Sequence, residues 1–173
     1  MARQVLKIVA AKKARITVMV VGTWLNQYPG VAREILAGGH ELGNHTWSHT
    51  NFQALPEDQM LQEVVKCRDA LLRHAGTPGD YFRPSKTQYA TDQTLRVAGR
   101  AGYRTVLSYD VDSLDFTEPG GPAVRANVRP AKAGSIVSMH LGYRSTVEAL
   151  PGILDDLAAR GLRAVTAGTL LGS

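Results

Sequence analysis

The stretch His40–His49, which reads HELGNHTWSH, contains two histidines four residues apart among small and hydrogen-bonding residues. Positions i and i+4 lie on one face of a helical turn, so His45 and His49 could direct their imidazole nitrogens at one point. Neutral imidazole binds zinc, cobalt and nickel, and a catalytic metal usually takes three protein ligands and one open position. The spacing therefore predicts half of a divalent metal site. The alternative interpretation is a pair of surface or capping histidines.

Strands and helices alternate on both sides of this stretch. Apolar runs predict strands or extended pieces at residues 15–21, 40–44, 81–84, 104–109, 134–140 and 162–165. Amphipathic spacing and capping residues predict helices at residues 3–13, 31–37, 56–74, 91–100, 124–128 and 146–160. Such alternation is typical of parallel βα units, and we predict an α/β fold in a single domain over residues 1–173.

Composition excludes several classes of function. The 173 residues are 44% apolar and 20% charged, as expected for one ordinary globular domain, and the net charge of +5 is dispersed. We therefore predict no binding to nucleic acid. No apolar run approaches the ~20 residues that span a bilayer, and no signal peptide is expected at the first residues. Cys67 is the single cysteine and lies on the apolar stripe of a predicted helix, which favours a core position.

Polar and potentially reactive residues follow the predicted strands. Parallel α/β folds keep their chemistry at these strand ends. The chain has no glycine-rich phosphate loop and no G-x-S-x-G nucleophile elbow, so nucleotide enzymes and serine hydrolases are disfavoured.

Four of these strand-end pieces, taken in order, resemble the polysaccharide deacetylases. They are the pair His45 and His49, then residues 81–84 (YFRP), 110–116 (DVDSLDF) and 135–140 (SIVSMH). This family, carbohydrate esterase family 4, includes chitin and peptidoglycan N-deacetylases and some acetylxylan esterases. The resemblance runs along nearly the whole chain. It implies a distorted, incomplete (β/α) barrel and a divalent metal, most often zinc, with cobalt or nickel as alternatives.

The resemblance also implies a role for each matching residue. His45 and His49 match the metal histidines, and Arg83 matches the arginine that orients the catalytic base. Asp115 matches the aspartate that orients a histidine, and His140 matches that histidine, the general acid for the departing amine. A turn-forming role for Asp115 and structural roles for Arg83 and His140 are the alternative interpretations.

Four further residues match the family's substrate pocket. Phe116 stands where a tryptophan is usual and would form an apolar wall, and Ser138 stands at a position that is usually leucine. Met139 is expected beside them. Lys86 lies in the loop after Arg83, whose backbone N–H groups would assist the oxyanion, although this loop lacks the second proline and the tyrosine common in the family.

The family's first strand, which ends in Thr-Phe-Asp-Asp-Gly, has no counterpart here. Its two aspartates supply the general base and the third metal ligand. The aspartates nearest to the predicted site, Asp58 and Asp69, fall on a long predicted helix and are badly placed to replace them. We therefore expect the chain to be a family member missing its first strand. Two explanations stay open: a truncated start of a normal secreted enzyme, or a degenerate, non-catalytic relative.

The predicted function is metal-dependent N-deacetylation of a polysaccharide that contains N-acetylglucosamine, either a chitin oligomer or peptidoglycan. As given, the chain is expected to be weakly active or inactive. The alternatives are a non-catalytic glycan-binding or scaffold protein and an O-deacetylase that acts on acetylxylan. The resemblance implies an extracellular or cell-wall location, a polysaccharide as the partner and no membrane span.

Overall fold

The structure, a computed structural model, describes residues 1–172 and contains eight α-helices and six β-strands in that part of the chain. The helices are α1 (Ala2–Ala11), α2 (Gly22–Gln27), α3 (Pro29–Ala37), α4 (Glu57–Ala75), α5 (Asp92–Arg100), α6 (Gly121–Val128), α7 (Arg144–Ala159) and α8 (Ala167–Leu171). The strands are β1 (Thr17–Val20), β2 (Glu41–Asn44), β3 (Tyr81–Phe82), β4 (Thr105–Val106), β5 (Val111–Asp112) and β6 (Val137–Ser138). Two short 3₁₀ turns lie at Phe52–Ala54 and Asp115–Thr117.

The described chain divides into two compact units. The continuous unit is Thr17–Ser108, and the discontinuous unit combines Met1–Ile16 with the described residues from Tyr109 onward. Each unit has its own parallel sheet, so the predicted α/β class with parallel strands is confirmed. The prediction of a single domain stays a prediction.

The continuous unit is built on a four-stranded sheet in the order β1-β2-β3-β4, with every pair parallel. Thr17 pairs with Glu41 and Val20 pairs with Asn44, so β1 and β2 end at the same level. Helices α4 and α5 cover the sheet with apolar side chains. The buried core consists of Phe52, Met60, Val64, Phe82, Val97, Ala98, Ala101 and Tyr103.

Helix α4 shows how the sequence pattern produces this packing. Its buried positions recur at helical spacing, and Cys67 is one of them, fully buried as predicted. Burial raises the pKa of the Cys67 thiol to about 12, so this thiol is a core group and not a nucleophile. Gly76 ends the helix in the left-handed conformation that glycine adopts without strain.

The discontinuous unit packs helices α1, α6 and α7 beside the short parallel pair of β5 and β6. Val111 pairs with Val137 and Asp112 pairs with Ser138. Two apolar clusters bury this unit's helices. One consists of Val111, Val124, Val128, Ala131, Ala149 and Ile153, and the other of Val5, Val9, Ala14, Leu150 and Leu154.

Several predicted elements differ from the structure. Residues 162–165 do not form a strand, and residues 104–109 and 134–140 contribute only the two-residue strands β4 and β6. Helices α2 and α8 were not predicted. Both are short, and a helix of five or six residues carries no readable apolar period. No helix within residues 1–172 has the length and apolar character needed to cross a membrane.

Candidate functional site

The two predicted metal ligands, the histidine pair His45 and His49, follow β2 in an irregular turn. This turn, residues 45–49, is the histidine turn. Thr46 and His49 have positive φ angles of 69° and 56°, so the helical turn expected for this pair is wrong. The two imidazole rings nevertheless lie side by side, with centroids 4.9 Å apart and planes at 70°. Two imidazoles that bind one tetrahedral zinc, at about 2.0–2.1 Å per Zn–N bond, place their centroids roughly 5 Å apart. The ring spacing therefore fits two ligands of one ion.

Backbone hydrogen bonds fix this turn against the start of α2. The N–H of Gly22 donates to the carbonyl of Thr46 at 3.0 Å, and the N–H of Thr23 donates to that of Trp47 at 2.9 Å. The approach is close enough that a Cβ at Gly22 would lie 2.4 Å from Cε3 of Trp47. Only glycine fits there without displacing the tryptophan that neighbours the histidine turn.

Side-chain oxygens stabilise the left-handed residues of the turn. The Oγ1 of Thr46 accepts a hydrogen bond from the N–H of His49 at 3.2 Å and contacts the Oγ of Ser85 at 3.2 Å. The carboxylate of Glu63 on α4 accepts hydrogen bonds from the N–H and the hydroxyl of Ser48, at 2.8 and 2.9 Å. A β-branched residue in the left-handed region is strained, and these bonds offset that strain.

One ring nitrogen of His45 is held by a backbone carbonyl. Its ring is buried, with 6% of the residue exposed, and its Nδ1 lies 2.8 Å from the carbonyl oxygen of Arg83. A carbonyl only accepts, so Nδ1 carries the hydrogen, and Nε2 keeps the lone pair that a metal needs. Such a carbonyl partner is the usual support for a metal-binding imidazole.

Within residues 1–172, the histidine pair does not belong to a group of three His, Cys, Asp or Glu side chains placed to hold a metal ion. The two imidazoles therefore account for two of the three protein ligands that a catalytic zinc usually has. They fit such an ion as a pair.

Arg83 and Lys86 lie in the loop that follows β3. The N–H of Arg83 donates to the carbonyl of Asn44 at 2.9 Å, and the carbonyl of Arg83 contacts the ring of His45. Both backbone groups of Arg83 are therefore bonded to residues 44–45. Lys86 is exposed and has a φ of 57°, next to Ser85, which is fully buried. The predicted roles of the Arg83 guanidinium and of the Lys86 N–H stay predictions.

In the discontinuous unit, Asp115 and His140 form a tight pair, named the acid pair after the predicted role of His140. The Nδ1 of His140 lies 2.7 Å from Oδ1 of Asp115, and the N–H of His140 donates to Oδ2 at 2.7 Å. The Asp115 side chain is fully buried, whereas the His140 side chain is 32% exposed. Because a carboxylate only accepts, Nδ1 is protonated and Nε2 is the nitrogen left for proton transfer. The predicted pairing of these two residues agrees with this geometry.

The ionised form of Asp115 is favoured despite its burial. Burial alone raises the pKa of this carboxyl group. Hydrogen bonds from the His140 ring, the Thr146 hydroxyl and the His140 backbone outweigh burial, so the pKa of Asp115 lies below its usual value. The group is therefore a carboxylate at neutral pH, as an orienting partner for histidine must be.

Two aromatic rings flank the His140 imidazole edge-to-face. The Phe116 centroid lies 5.6 Å from it at an interplanar angle of 77°, and the Tyr143 centroid lies 5.7 Å from it at 89°. Phe116 is 45% exposed, which suits the predicted apolar wall. Ser138 is buried at the end of β6, and Met139 packs against both apolar clusters of this unit. Substrate binding by these residues stays a prediction.

Strained backbone accumulates around the predicted site residues. Six described residues other than glycine have a positive φ: Lys13, Thr46, His49, Lys86, Leu114 and Glu118. Leu114 and Glu118 flank the 3₁₀ turn that contains Asp115, and all but Lys13 lie within three residues of a predicted ligand or catalytic residue. Strained conformations concentrate at functional sites, where surrounding contacts hold them in place. The pattern therefore supports both regions as functional.

Sequence reasoning missed two residues that contact the acid pair or its loop. Thr146 donates a hydrogen bond to Asp115 at 2.5 Å, and Glu118 accepts hydrogen bonds from Arg144 and Ser145 at the start of α7. Serine and threonine are common at the beginning of any helix. The pair Ser145-Thr146 therefore does not reveal, from the sequence alone, that it binds Glu118 and Asp115.

Comparison with known proteins adds independent information. A family model described as polysaccharide deacetylase matches residues 1–106. A peptidoglycan-N-acetylglucosamine deacetylase from Bacillus cereus is 32% identical over 173 residues, covering 97% of this chain and 80% of that protein. The chain spans 50–65% of the length of four further relatives, among them chitooligosaccharide and chitin deacetylases.

Solved structures are similar over nearly the whole chain. The peptidoglycan deacetylase PdaC from Bacillus subtilis superposes with a TM-score of 0.88 at 25% identity, covering 99% of this chain and 83% of that one. A pseudoenzyme of carbohydrate esterase family 4 from Bacillus anthracis has the same fold, with a TM-score of 0.91 at 24% identity. That match covers 98% of this chain and 60% of the pseudoenzyme. The α/β fold implied by the sequence motifs is confirmed.

Proposed function

We propose, because the chain belongs to the polysaccharide deacetylase family, that it removes N-acetyl groups from a polysaccharide containing N-acetylglucosamine. The substrate would be a chitin oligomer or peptidoglycan, and the protein would act outside the cell or in the cell wall, where such polymers occur. The observation that carries the proposal is the 2.7 Å contact between His140 and the buried Asp115, which leaves one imidazole nitrogen for proton transfer.

His45 and His49 are the proposed ligands of a divalent metal, most simply zinc. When bound, such a metal polarises an acetamide carbonyl and lowers the pKa of water. His45 presents Nε2 because its Nδ1–H is held by the carbonyl of Arg83. Cobalt and nickel suit the same nitrogen ligands.

His140 is the proposed proton donor to the departing amine. Amide hydrolysis needs this proton because an amine anion is a very poor leaving group. Asp115 holds the ring by Nδ1, so a proton carried on Nε2 is delivered in one direction. Phe116 beside the ring would shield the transfer from water.

We propose further that this chain alone has weak activity. Two imidazoles hold a metal less firmly than three ligands do, and residues 1–172 offer no group of three. A second candidate function follows from the same ligand count. A non-catalytic, glycan-binding relative needs no complete metal site, and the Bacillus anthracis structure is described as a pseudoenzyme.

Acetate release tests the proposal. The chain would be incubated with zinc and a chitin oligomer, a peptidoglycan fragment or acetylated xylan, beside a His140→Ala variant. A second protein would carry an added N-terminal segment with the paired aspartates of the family. We expect slow, zinc-dependent release from an N-acetylated polymer, abolished in His140→Ala and faster with the added segment. Release from xylan alone would indicate O-deacetylation. Saturable glycan binding without turnover in either protein would support the binding function.

A further inference from the structure

The first turn of α7 binds two carboxylates, Asp115 and Glu118, of the loop between β5 and α6. The Oγ1 of Thr146 donates to Oδ2 of Asp115. The backbone N–H groups of Arg144 and Ser145 and the hydroxyl of Ser145 donate to Glu118, at 3.0, 2.9 and 2.7 Å. These hydrogen bonds keep the pKa of Glu118 below its usual value. A helix N-terminus favours negative charge, so this turn is a fitting anchor for the loop.

The contacts of Asp115 separate Thr146 from its other partners. Oδ1 accepts a hydrogen bond from the His140 ring, and Oδ2 accepts from the His140 N–H and from Thr146. Two of these three donors belong to His140 itself. A carboxylate held only by the residue that it orients could turn together with that residue. Thr146 supplies a donor from a different element and so fixes the carboxylate plane independently of His140.

The position of Thr146 in α7 suits this contact. It is the third residue of the helix, and 2% of it is exposed. The hydroxyl of a threonine inside a helix often donates a hydrogen bond to the carbonyl three or four residues earlier. The residues three and four before Thr146 are Tyr143, the N-cap of α7, and Gly142, which precedes the helix. The Thr146 hydroxyl donates instead to the loop carboxylate of Asp115, at 2.5 Å.

We propose that Thr146 is a positioning residue that acts through Asp115 to hold the His140 ring with Nδ1 on the carboxylate and Nε2 directed away. The inference rests on the proposed function, because it is the proton-donor role of His140 that makes ring orientation matter. Valine at position 146 would fill the same volume and give Asp115 no hydrogen bond, whereas serine would keep the donor.

The test is nitrogen-15 and proton NMR of the histidine side chains in the intact chain. Wild type, Thr146→Val and Thr146→Ser would be compared, with Asp115→Asn as the reference for a lost pair. In wild type we expect a slowly exchanging Nδ1 proton on His140, because the Asp115 carboxylate accepts its hydrogen bond. In Thr146→Val this proton should exchange about tenfold faster, and Thr146→Ser should restore most of the protection. Unchanged exchange in Thr146→Val would overturn the proposal.

Glu118→Gln is the matched control for a purely structural role. It weakens the other anchor of the same loop and leaves every donor to Asp115 in place. We expect this variant to lose stability while the His140 signals stay as in wild type. Equal loss of Nδ1 protection in Glu118→Gln and Thr146→Val would mean that the loop merely loosens, and would also overturn the proposal. If Thr146→Val does not fold, the comparison of Thr146→Ala with Thr146→Ser gives the same decision.

Acetate release separates this proposal from the proposed function. If wild type is active, Thr146→Val should lower kcat about tenfold with little change in KM, and Thr146→Ser should recover it. If neither wild type nor the protein with the added segment releases acetate, the proposed function fails, and the NMR comparison still decides whether Thr146 orients His140.

Discussion

The histidine pair of the continuous unit and the acid pair of the discontinuous unit are held in different ways. His45 and His49 owe their placement to an irregular backbone turn, with His45 bonded to a carbonyl and His49 itself in a left-handed conformation. His140 owes its orientation to a direct contact with a buried carboxylate. The first arrangement depends on backbone shape, and the second depends on a charge.

The difference has a consequence for how each region behaves without ligand. A buried carboxylate with three hydrogen-bond donors is internally satisfied, so the acid pair should keep its geometry in the free protein. The proposed metal role of the two imidazoles adds a bond to each ring only when an ion is bound. We therefore expect the acid pair to contribute to folding stability and the histidine pair to contribute mainly to metal affinity.

Of the substitutions considered, Asp115→Asn should have the largest effect, because it breaks the acid pair and lowers the free energy of unfolding. The change removes a buried charge that receives three hydrogen bonds and leaves the His140 donor facing an amide. We expect a loss of about 3 kcal/mol in the free energy of unfolding. Urea denaturation of the two proteins at pH 7 measures it. A loss below about 1 kcal/mol would mean that the pair is not a stabilising element.

The same variant should change how stability depends on pH. The pKa of Asp115 is lower in the folded chain than in the unfolded chain, so its contribution is complete above the ordinary aspartate pKa of about 4. That contribution is lost as the pH falls through the lowered folded-state value. The stability difference between wild type and Asp115→Asn should therefore shrink on acidification below about pH 4. Asp110→Asn, which alters an exposed carboxylate of the same unit, should give a smaller difference.

Removing one imidazole of the histidine pair should act on metal binding instead. In His49→Ala one of two ligands is lost, and we expect zinc affinity to fall at least about 100-fold. Isothermal titration with zinc measures the change. His74→Ala is the control, because His74 contacts Asn26 and lies outside the turn. Equal affinity in the two variants would show that zinc binds elsewhere, and Asp115→Asn should leave zinc affinity unchanged.

Much of the fold could be predicted because hydrophobic spacing and caps are local signals. Helix α4 follows its apolar stripe. Helix α5 begins at Asp92 and is capped by Thr91, as predicted, with the Thr91 hydroxyl accepting a hydrogen bond from the N–H of Thr94. The strand expected at residues 162–165 is absent from the described sheets, although the Ala164 carbonyl accepts a hydrogen bond from the N–H of Arg15 at 3.0 Å. An isolated hydrogen bond of this kind does not make a ladder, and the apolar spacing of the sequence does not reveal the difference.

The sequence identified candidate residues for the site but not their conformation. Strand ends and family resemblance identified His45, Asp115 and His140. The left-handed backbone at Thr46 depends on its contact with Ser85, which is 39 positions away in the chain and invisible to local patterns. The partnership of Thr146 with Asp115, across 31 positions, was hidden for the same reason. Long-range hydrogen bonds, more than composition or spacing, decide the geometry at both regions.

The smallest effect should come from loosening the histidine turn without touching a ligand. The Glu63 carboxylate on α4 accepts two hydrogen bonds from Ser48, the neighbour of His49. Glu63→Gln keeps the size of the side chain but replaces one acceptor oxygen with an amide group that can only donate. We expect zinc affinity to fall about tenfold, as is typical for residues that support metal ligands. Glu57→Gln, which alters another carboxylate of α4 that pairs with Arg100, should leave zinc affinity at the wild-type value. If both variants bind zinc as wild type does, the turn is rigid by its backbone alone, and the contrast with the charge-dependent acid pair becomes sharper.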